Sequence, residues 1–115
     1  MKVKIPLKLN NWNDIIRECR TNKYYANSHK KQEMNDISWF IRKMPPIKKY
    51  PVEIAFVWHV KDARSDLDNK SVKSILDCMQ NIGILENDNI KHIKSIHHYA
   101  VVDKEEYVEM EIMEE

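Results

Sequence analysis

The alternation of apolar and polar residues along the chain predicts four strands. Residues 2–9 and 107–113 alternate strictly, which is typical of half-buried strands. Residues 52–60 are apolar on one face and partly apolar on the other, which indicates a central strand covered on both sides. A longer stretch over residues 90–102 predicts the remaining strand. Pro6 lacks a backbone donor and therefore places the first strand at an edge of the sheet.

Three other stretches repeat their apolar residues at the helical interval. The first lies between Asn11 and Cys19. The second covers residues 22–43, is interrupted by polar residues in its middle, and is ended by two prolines. The third begins at Val72 and ends before Gly83, the only glycine of the chain, which suits a left-handed helix C-cap.

The order strand, two helices, strand, helix and two strands predicts an α+β fold. The 115 residues suffice for a single domain, residues 1–115, and are too few for two. We expect a mixed or antiparallel sheet of about four strands packed with helices. Because only residues 103–106 separate the last two strands, we expect 107–113 to be the hairpin partner of 90–102.

The composition is that of a soluble globular protein. No apolar run approaches the roughly 18 residues of a membrane-spanning helix, and the N-terminus lacks the apolar core of a signal peptide. Cys19 and Cys78 lie far apart without a CxxC motif, which argues against a zinc knuckle or a disulfide framework. We therefore expect a cytoplasmic protein without membrane contact, in which both thiols are buried.

Charge is distributed unevenly between the two halves of the chain. Residues 1–50 hold twelve Lys and Arg against four Asp and Glu, whereas residues 51–115 hold seven against fourteen. A basic half can bind a polyanion while an acidic half supplies metal-binding carboxylates, a combination that suits a nuclease. The alternative is that both are simply solvated faces.

Acidic residues gather on either side of the third helix. Asp66 and Asp68 stand two residues apart ahead of it, and Asp88 follows it at the start of the next strand. Two acids at this spacing in extended chain point to the same side, and a neighbouring strand could bring Asp88 to them. Three converging carboxylates favour Mg²⁺, or alternatively Mn²⁺. The competing interpretation is an N-cap followed by an ordinary turn.

Lys73 and Asp77 lie four residues apart on that helix. One interpretation is a surface ion pair. The other is that Lys73 contacts the scissile phosphate while Asp77 holds the lysine in place. Among the histidines, the adjacent His97 and His98 point to opposite faces of a strand, which argues against a shared zinc site and favours surface positions or nucleic-acid contacts.

Basic residues in the helical first half alternate with Tyr24, Tyr25 and Trp39. Cations neutralise phosphates and aromatic rings stack on exposed bases, although the tyrosines equally suit helix packing. The residues that we expect to contact DNA are Arg17, Arg20, Lys23, Lys30, Lys31, Arg64 and Lys70.

The spacing of Asp66-Leu67-Asp68-Asn69, Lys73, Asp77, Gly83 and Asp88 resembles the RusA family of Holliday-junction resolvases from bacteria and their phages. The likeness is carried by residues 66–88. Two features depart from the family pattern. Between Asp68 and Lys73 the chain has one residue more than the shortest family members, which makes Lys70 a rival for the role of Lys73. The acidic pair that opens a strand in the family is reduced to Asn87-Asp88.

The resemblance implies a homodimeric, Mg²⁺-dependent endonuclease that makes paired nicks in four-way DNA junctions. Asp66, Asp68 and Asp88 would be the metal-binding catalytic acids and Lys73 the lysine of the catalytic site. The cell would be a bacterium or a phage-infected bacterium. A non-catalytic protein that binds branched DNA, and a metal-dependent nuclease for flaps or duplexes, are the alternatives.

Overall fold

A computed structural model describes residues 1–7, 23–63 and 72–114, and for residues 23–30 the backbone alone. Its elements are, in chain order, β1 (Lys2–Ile5), α1 (Lys23–Ile41), β2 (Val52–Val60), α2 (Val72–Asn81), β3 (Ile93–Val102) and β4 (Tyr107–Glu114). The described residues form a small α+β domain with a four-stranded mixed sheet and two helices, which confirms the predicted fold class. The helix predicted between Asn11 and Cys19 falls outside the described residues.

The sheet has the strand order β1, β4, β2, β3. β2 lies between β4, to which it is antiparallel, and β3, to which it is parallel. Along β2, buried residues alternate with half-buried ones, as expected of a strand covered well on one side and partly on the other. The central position predicted for residues 52–60 is therefore confirmed. β1 pairs with β4 alone and forms an edge, as Pro6 indicated.

The predicted hairpin between the last two strands is wrong. β4 pairs with β2 and β1, and the residues between β3 and β4 pass over the end of β2, where the Asp103 backbone N–H donates to the Val60 carbonyl at 2.8 Å. Two strand spacings amount to about 10 Å, which four residues can span. β4 pairs with β1 and β2 instead of β3 for a physical reason. In this interior position Val108, Met110 and Ile112 are all buried.

Both helices cover one face of the sheet. Ile37 and Ile41 of α1 are fully buried in the same core as Ile75 and Met79 of α2 and Phe56 of β2. α1 is continuous over 19 residues, so the predicted interruption by polar residues does not occur. Tertiary packing of its apolar C-terminal half stabilises a helix of otherwise weak periodicity. In the described ranges, neither helix combines the length and the apolarity needed to cross a membrane.

The contact between the helices includes the thiol of Cys78, which donates to the backbone carbonyl of Met34 at 3.3 Å. Cys78 is fully buried, as predicted, and this burial raises the pKa of its thiol. Cys19 lies outside the described residues.

Gly83 ends α2 in the predicted left-handed conformation, with φ of 84°. The Gly83 N–H donates to the carbonyl of Gln80, and the Ile84 N–H donates to that of Met79. Ile84 and Leu85 then turn into the core. This cap reverses the chain and fixes the start of the loop that carries Asp88.

Candidate metal and DNA site

Asp88 lies in a turn that is held by asparagine side chains. The side-chain oxygen of Asn87 accepts from the backbone N–H of Asn89, and that of Asn89 accepts from the N–H of Lys91, both at 3.1 Å. Such turns are the local structure that Asn and Asp favour. Residues 90–92 extend this turn, so β3 begins later than the predicted strand, at Ile93. The Asp88 side chain is exposed, which leaves its carboxylate open to ligands from solution.

Two contacts anchor the Asp88 turn against the segment that follows α1. The Ile47 backbone N–H donates to the carbonyl of Ile84 at 2.9 Å, and the Glu86 N–H donates to the hydroxyl of Tyr50 at 3.0 Å. The Tyr50 ring also meets the His92 ring edge-on, with 4.8 Å between centroids. These contacts bring the chain that carries Asp88 alongside the exposed pair Lys48-Lys49.

The parallel pairing of β2 and β3 fixes the end of the sheet at which Asp88 lies. Val52 at the start of β2 is paired with Ile93 at the start of β3. α2 connects the end of β2 to the start of β3, so its ten residues run about 15 Å back along the sheet. Lys73 is exposed in the first turn of α2, whereas Asp88 lies beyond the C-terminal end of this helix.

The predicted carboxylate triad falls partly outside the described residues. Asp66, Asp68 and the rival lysine Lys70 belong to the stretch that the structure does not describe. Within residues 1–7, 23–63 and 72–114, no three His, Cys, Asp or Glu side chains are grouped to hold a metal ion. Of the predicted triad the structure describes Asp88, whose exposed carboxylate oxygens suit Mg²⁺, and the triad stays a prediction.

The predicted DNA contacts are divided in the same way. Lys31 is exposed on α1, and the backbones of Lys23 and Lys30 belong to the same helix. Arg17, Arg20 and Arg64 lie outside the described residues. The described part of the set is therefore confined to one helix, whose last turn leads toward the Lys48-Lys49 segment.

A second charged cluster, which the sequence did not reveal, lies at the opposite end of β2. His59 Nδ1 lies 3.0 Å from an Asp103 carboxylate oxygen, and its Nε2 lies 2.6 Å from one of Glu109. The His59 ring stacks on the Tyr107 ring, with 3.9 Å between their centroids. The Lys4 ammonium lies over the Tyr107 ring. The Lys104 backbone N–H, and then the hydrogen bond to His59, lower the pKa of the Asp103 carboxyl.

This His59 cluster joins β2 to β4 and to the connection before β4. Both ring nitrogens of His59 lie within hydrogen-bonding distance of a carboxylate oxygen. The cluster could have been predicted only by pairing β2 with β4, which places His59 opposite Tyr107. The expected hairpin between the last two strands excluded that pairing.

His97 and His98 occupy opposite faces of β3, as predicted. His97 is exposed beside Glu53, whereas His98 stacks on Phe56 with 5.6 Å between ring centroids. The Trp58 indole N–H donates to His98 Nδ1 at 3.1 Å. His98 is therefore half-buried, because its ring packs against the aromatic residues of β2, and of the two histidines His97 is the exposed one. Burial, and then the charge of His97, lower its pKa from the ordinary value of 6.5.

This lowered pKa predicts a loss of stability in mild acid. The folded state favours neutral His98, so its contribution is fully present above about pH 6.5 and is lost as the pH falls toward the folded pKa. We expect the urea midpoint of unfolding to decrease between pH 7.5 and 5.5, and His98→Gln to reduce this decrease. His97→Gln should retain most of it, since burial is the larger cause. If the urea midpoint depended on pH equally in wild type and His98→Gln, His98 would not be the group responsible.

Compared with known proteins, the chain matches no family model and no curated sequence. The fold and the described side chains define a small α+β protein with an exposed acid beside a basic segment.

Proposed function

We propose that this chain is a Mg²⁺-dependent, structure-selective DNA endonuclease that resolves four-way junctions by paired phosphodiester hydrolysis. The observation that supports it best is the position of Asp88, which is exposed on an ordered turn anchored beside the cationic Lys48-Lys49 segment. A carboxylate placed next to a phosphate-binding surface is what metal-assisted phosphodiester hydrolysis requires. The spacing of Asp66, Asp68, Lys73 and Asp88 along the chain adds to this argument.

In this proposal Asp66, Asp68 and Asp88 hold the cation, with Mn²⁺ able to replace Mg²⁺. When bound there, Mg²⁺ supplies an activated water and stabilises charge on the leaving oxygen. Lys73, or its rival Lys70, neutralises charge on the phosphate. The basic residues of the first half hold the DNA arms by neutralising further phosphates.

Two copies of the chain are part of the proposal, because resolution of a symmetric junction needs two symmetric cuts. The compartment that fits this substrate is the cytoplasm of a bacterial or phage-infected cell. A second copy would also supply a second Asp88 turn and a second Lys73. Within one chain Lys73 lies at the N-terminal end of α2 and Asp88 beyond its C-terminal end, so the proposal includes a site to which the second copy contributes Asp88.

Incubation of the purified protein with a synthetic four-way junction tests the proposal. With Mg²⁺ we expect paired nicks, with EDTA none, and slower or no cutting of a linear duplex of the same sequence. Binding of the junction without any cleavage in Mg²⁺ or Mn²⁺ would instead identify a non-catalytic branched-DNA-binding protein. Preferred cutting of a flap or duplex would identify a nuclease of different selectivity.

A further inference from the structure

Two large aromatic side chains are exposed at the end of α1. Trp39 is 61% exposed and Phe40 38%, whereas Ile37 and Ile41 beside them are fully buried. The last two turns of α1 therefore place Ile37 and Ile41 in the core and leave Trp39 and Phe40 in contact with solvent. A tryptophan is seldom left so open in a folded domain, and exposed aromatic residues grouped together mark a surface that binds something.

Cations surround these rings. The Arg42 guanidinium lies over the Trp39 ring, with 3.6 Å from its carbon to the ring centroid, and Lys43 is exposed beside it. Residues 39–49 contain four Lys and Arg and no Asp or Glu. Arg42 also donates to the backbone carbonyl of Trp39, which explains the position of Arg42 as a helix cap but not the exposure of either ring.

We propose that Trp39, Phe40, Arg42 and Lys43 form a stacking surface for an unpaired DNA strand. Arg42 covers one face of the Trp39 indole, so a base would stack on the other face while Arg42 and Lys43 neutralise the flanking phosphates. A protein or lipid partner would fit less well, because the four cations of residues 39–49 favour a polyanion and flat aromatic rings stack on bases. The proposal rests on the proposed function only in taking the strand to be one opened at a branch point.

The fold connects this stacking surface with Asp88. The segment that leaves α1 reaches Ile47, whose backbone N–H is bonded to Ile84 ahead of the Asp88 turn. Lys48 and Lys49 follow directly and are exposed. A strand held on Trp39 can thus continue along cationic chain toward the carboxylate.

The test measures binding of a fluorescently labelled oligothymidine by anisotropy, in EDTA and at several salt concentrations. We expect Trp39→Ala to weaken binding about tenfold or more. The slope of the logarithm of the binding constant against the logarithm of the salt concentration should not change, since stacking does not release counterions. Arg42→Gln and Lys43→Gln should each reduce the slope by about 0.7. Trp39→Phe should restore most of the affinity, because it keeps a ring that stacks.

Tyr99→Ala is the matched control, since Tyr99 is 56% exposed on β3 and should not affect binding. Oligothymidine should also quench the tryptophan fluorescence of wild type more than that of Trp39→Phe. Unchanged affinity in Trp39→Ala, or an equal loss in Tyr99→Ala, would overturn the stacking surface. Since no cleavage is measured, a protein that binds the strand but never cuts a junction would support this inference while refuting the nuclease.

Discussion

Asp88→Asn is expected to lower Mg²⁺-dependent cleavage of a four-way junction on the order of a hundredfold or more. The substitution keeps the shape of the side chain and removes the charge that would hold the cation, and metal assistance is worth several kcal/mol of transition-state stabilisation. Because Asp88 is exposed and the side chains of Asn87 and Asn89 hold its turn, the fold should be unaffected. Single-turnover cleavage and thermal unfolding, measured on the same preparation, check both statements.

The matched control for Asp88→Asn is Asn87→Asp. It restores an acidic pair at this position and should leave the domain folded and active, because an aspartate oxygen can accept the same bond from the Asn89 N–H. Cleavage by Asp88→Asn at the wild-type rate would remove Asp88 from the metal site. Junction binding in EDTA should be retained or strengthened in Asp88→Asn, since this variant loses a negative charge beside Lys48 and Lys49.

The direction of β3 adds an experiment with two variants. Asp88 lies where β2 begins, whereas the chain leads from the other end of β2 toward Asp68. Mixing inactive Asp68→Asn with inactive Asp88→Asn would restore nicking of one strand if Asp88 serves the site of a second copy. Continued inactivity of the mixture would assign Asp88 to the site of its own chain.

Local pattern predicted the elements because each is specified by its own residues. Alternation in Val52–Val60 marks a strand, and the single glycine marks the end of α2. Strand neighbours follow from contacts between residues far apart in sequence, which no local window contains. The four-residue connection after β3 suggested a hairpin, but burial of Val108, Met110 and Ile112 in the interior of the sheet decided the position of β4.

The candidate site was predictable in part for the same reason. The sequence predicted Asp88 as a metal ligand, but the position of its turn beside Lys48-Lys49 depends on the long-range hydrogen bonds from Ile47 and to Tyr50. The His59 cluster depends entirely on the pairing of β2 with β4. Composition likewise gave a basic first half, whereas only the fold distinguishes the exposed ring of Trp39 from the buried residues around it.

Phe56→Ala is expected to destabilise the domain by about 3–5 kcal/mol, a large share of the roughly 5–15 kcal/mol typical of a domain. Phe56 is fully buried in the central strand, and its ring stacks against both Trp58 and His98, with centroids 5.7 and 5.6 Å away. Its removal leaves a cavity between the sheet and the helices and also deprives the Trp58–His98 pair of its support. Urea unfolding at pH 7.5 measures the loss as a lower midpoint.

Phe40 provides the comparison, because these two are the only phenylalanines of the chain. Phe40 is 38% exposed at the end of α1, so Phe40→Ala should lower the free energy of unfolding by only about 1 kcal/mol. The same chemical deletion then separates a ring that holds the fold together from one that we assign to DNA. Equal losses in the two variants would mean that Phe40 packs in the core and would remove it from the stacking surface.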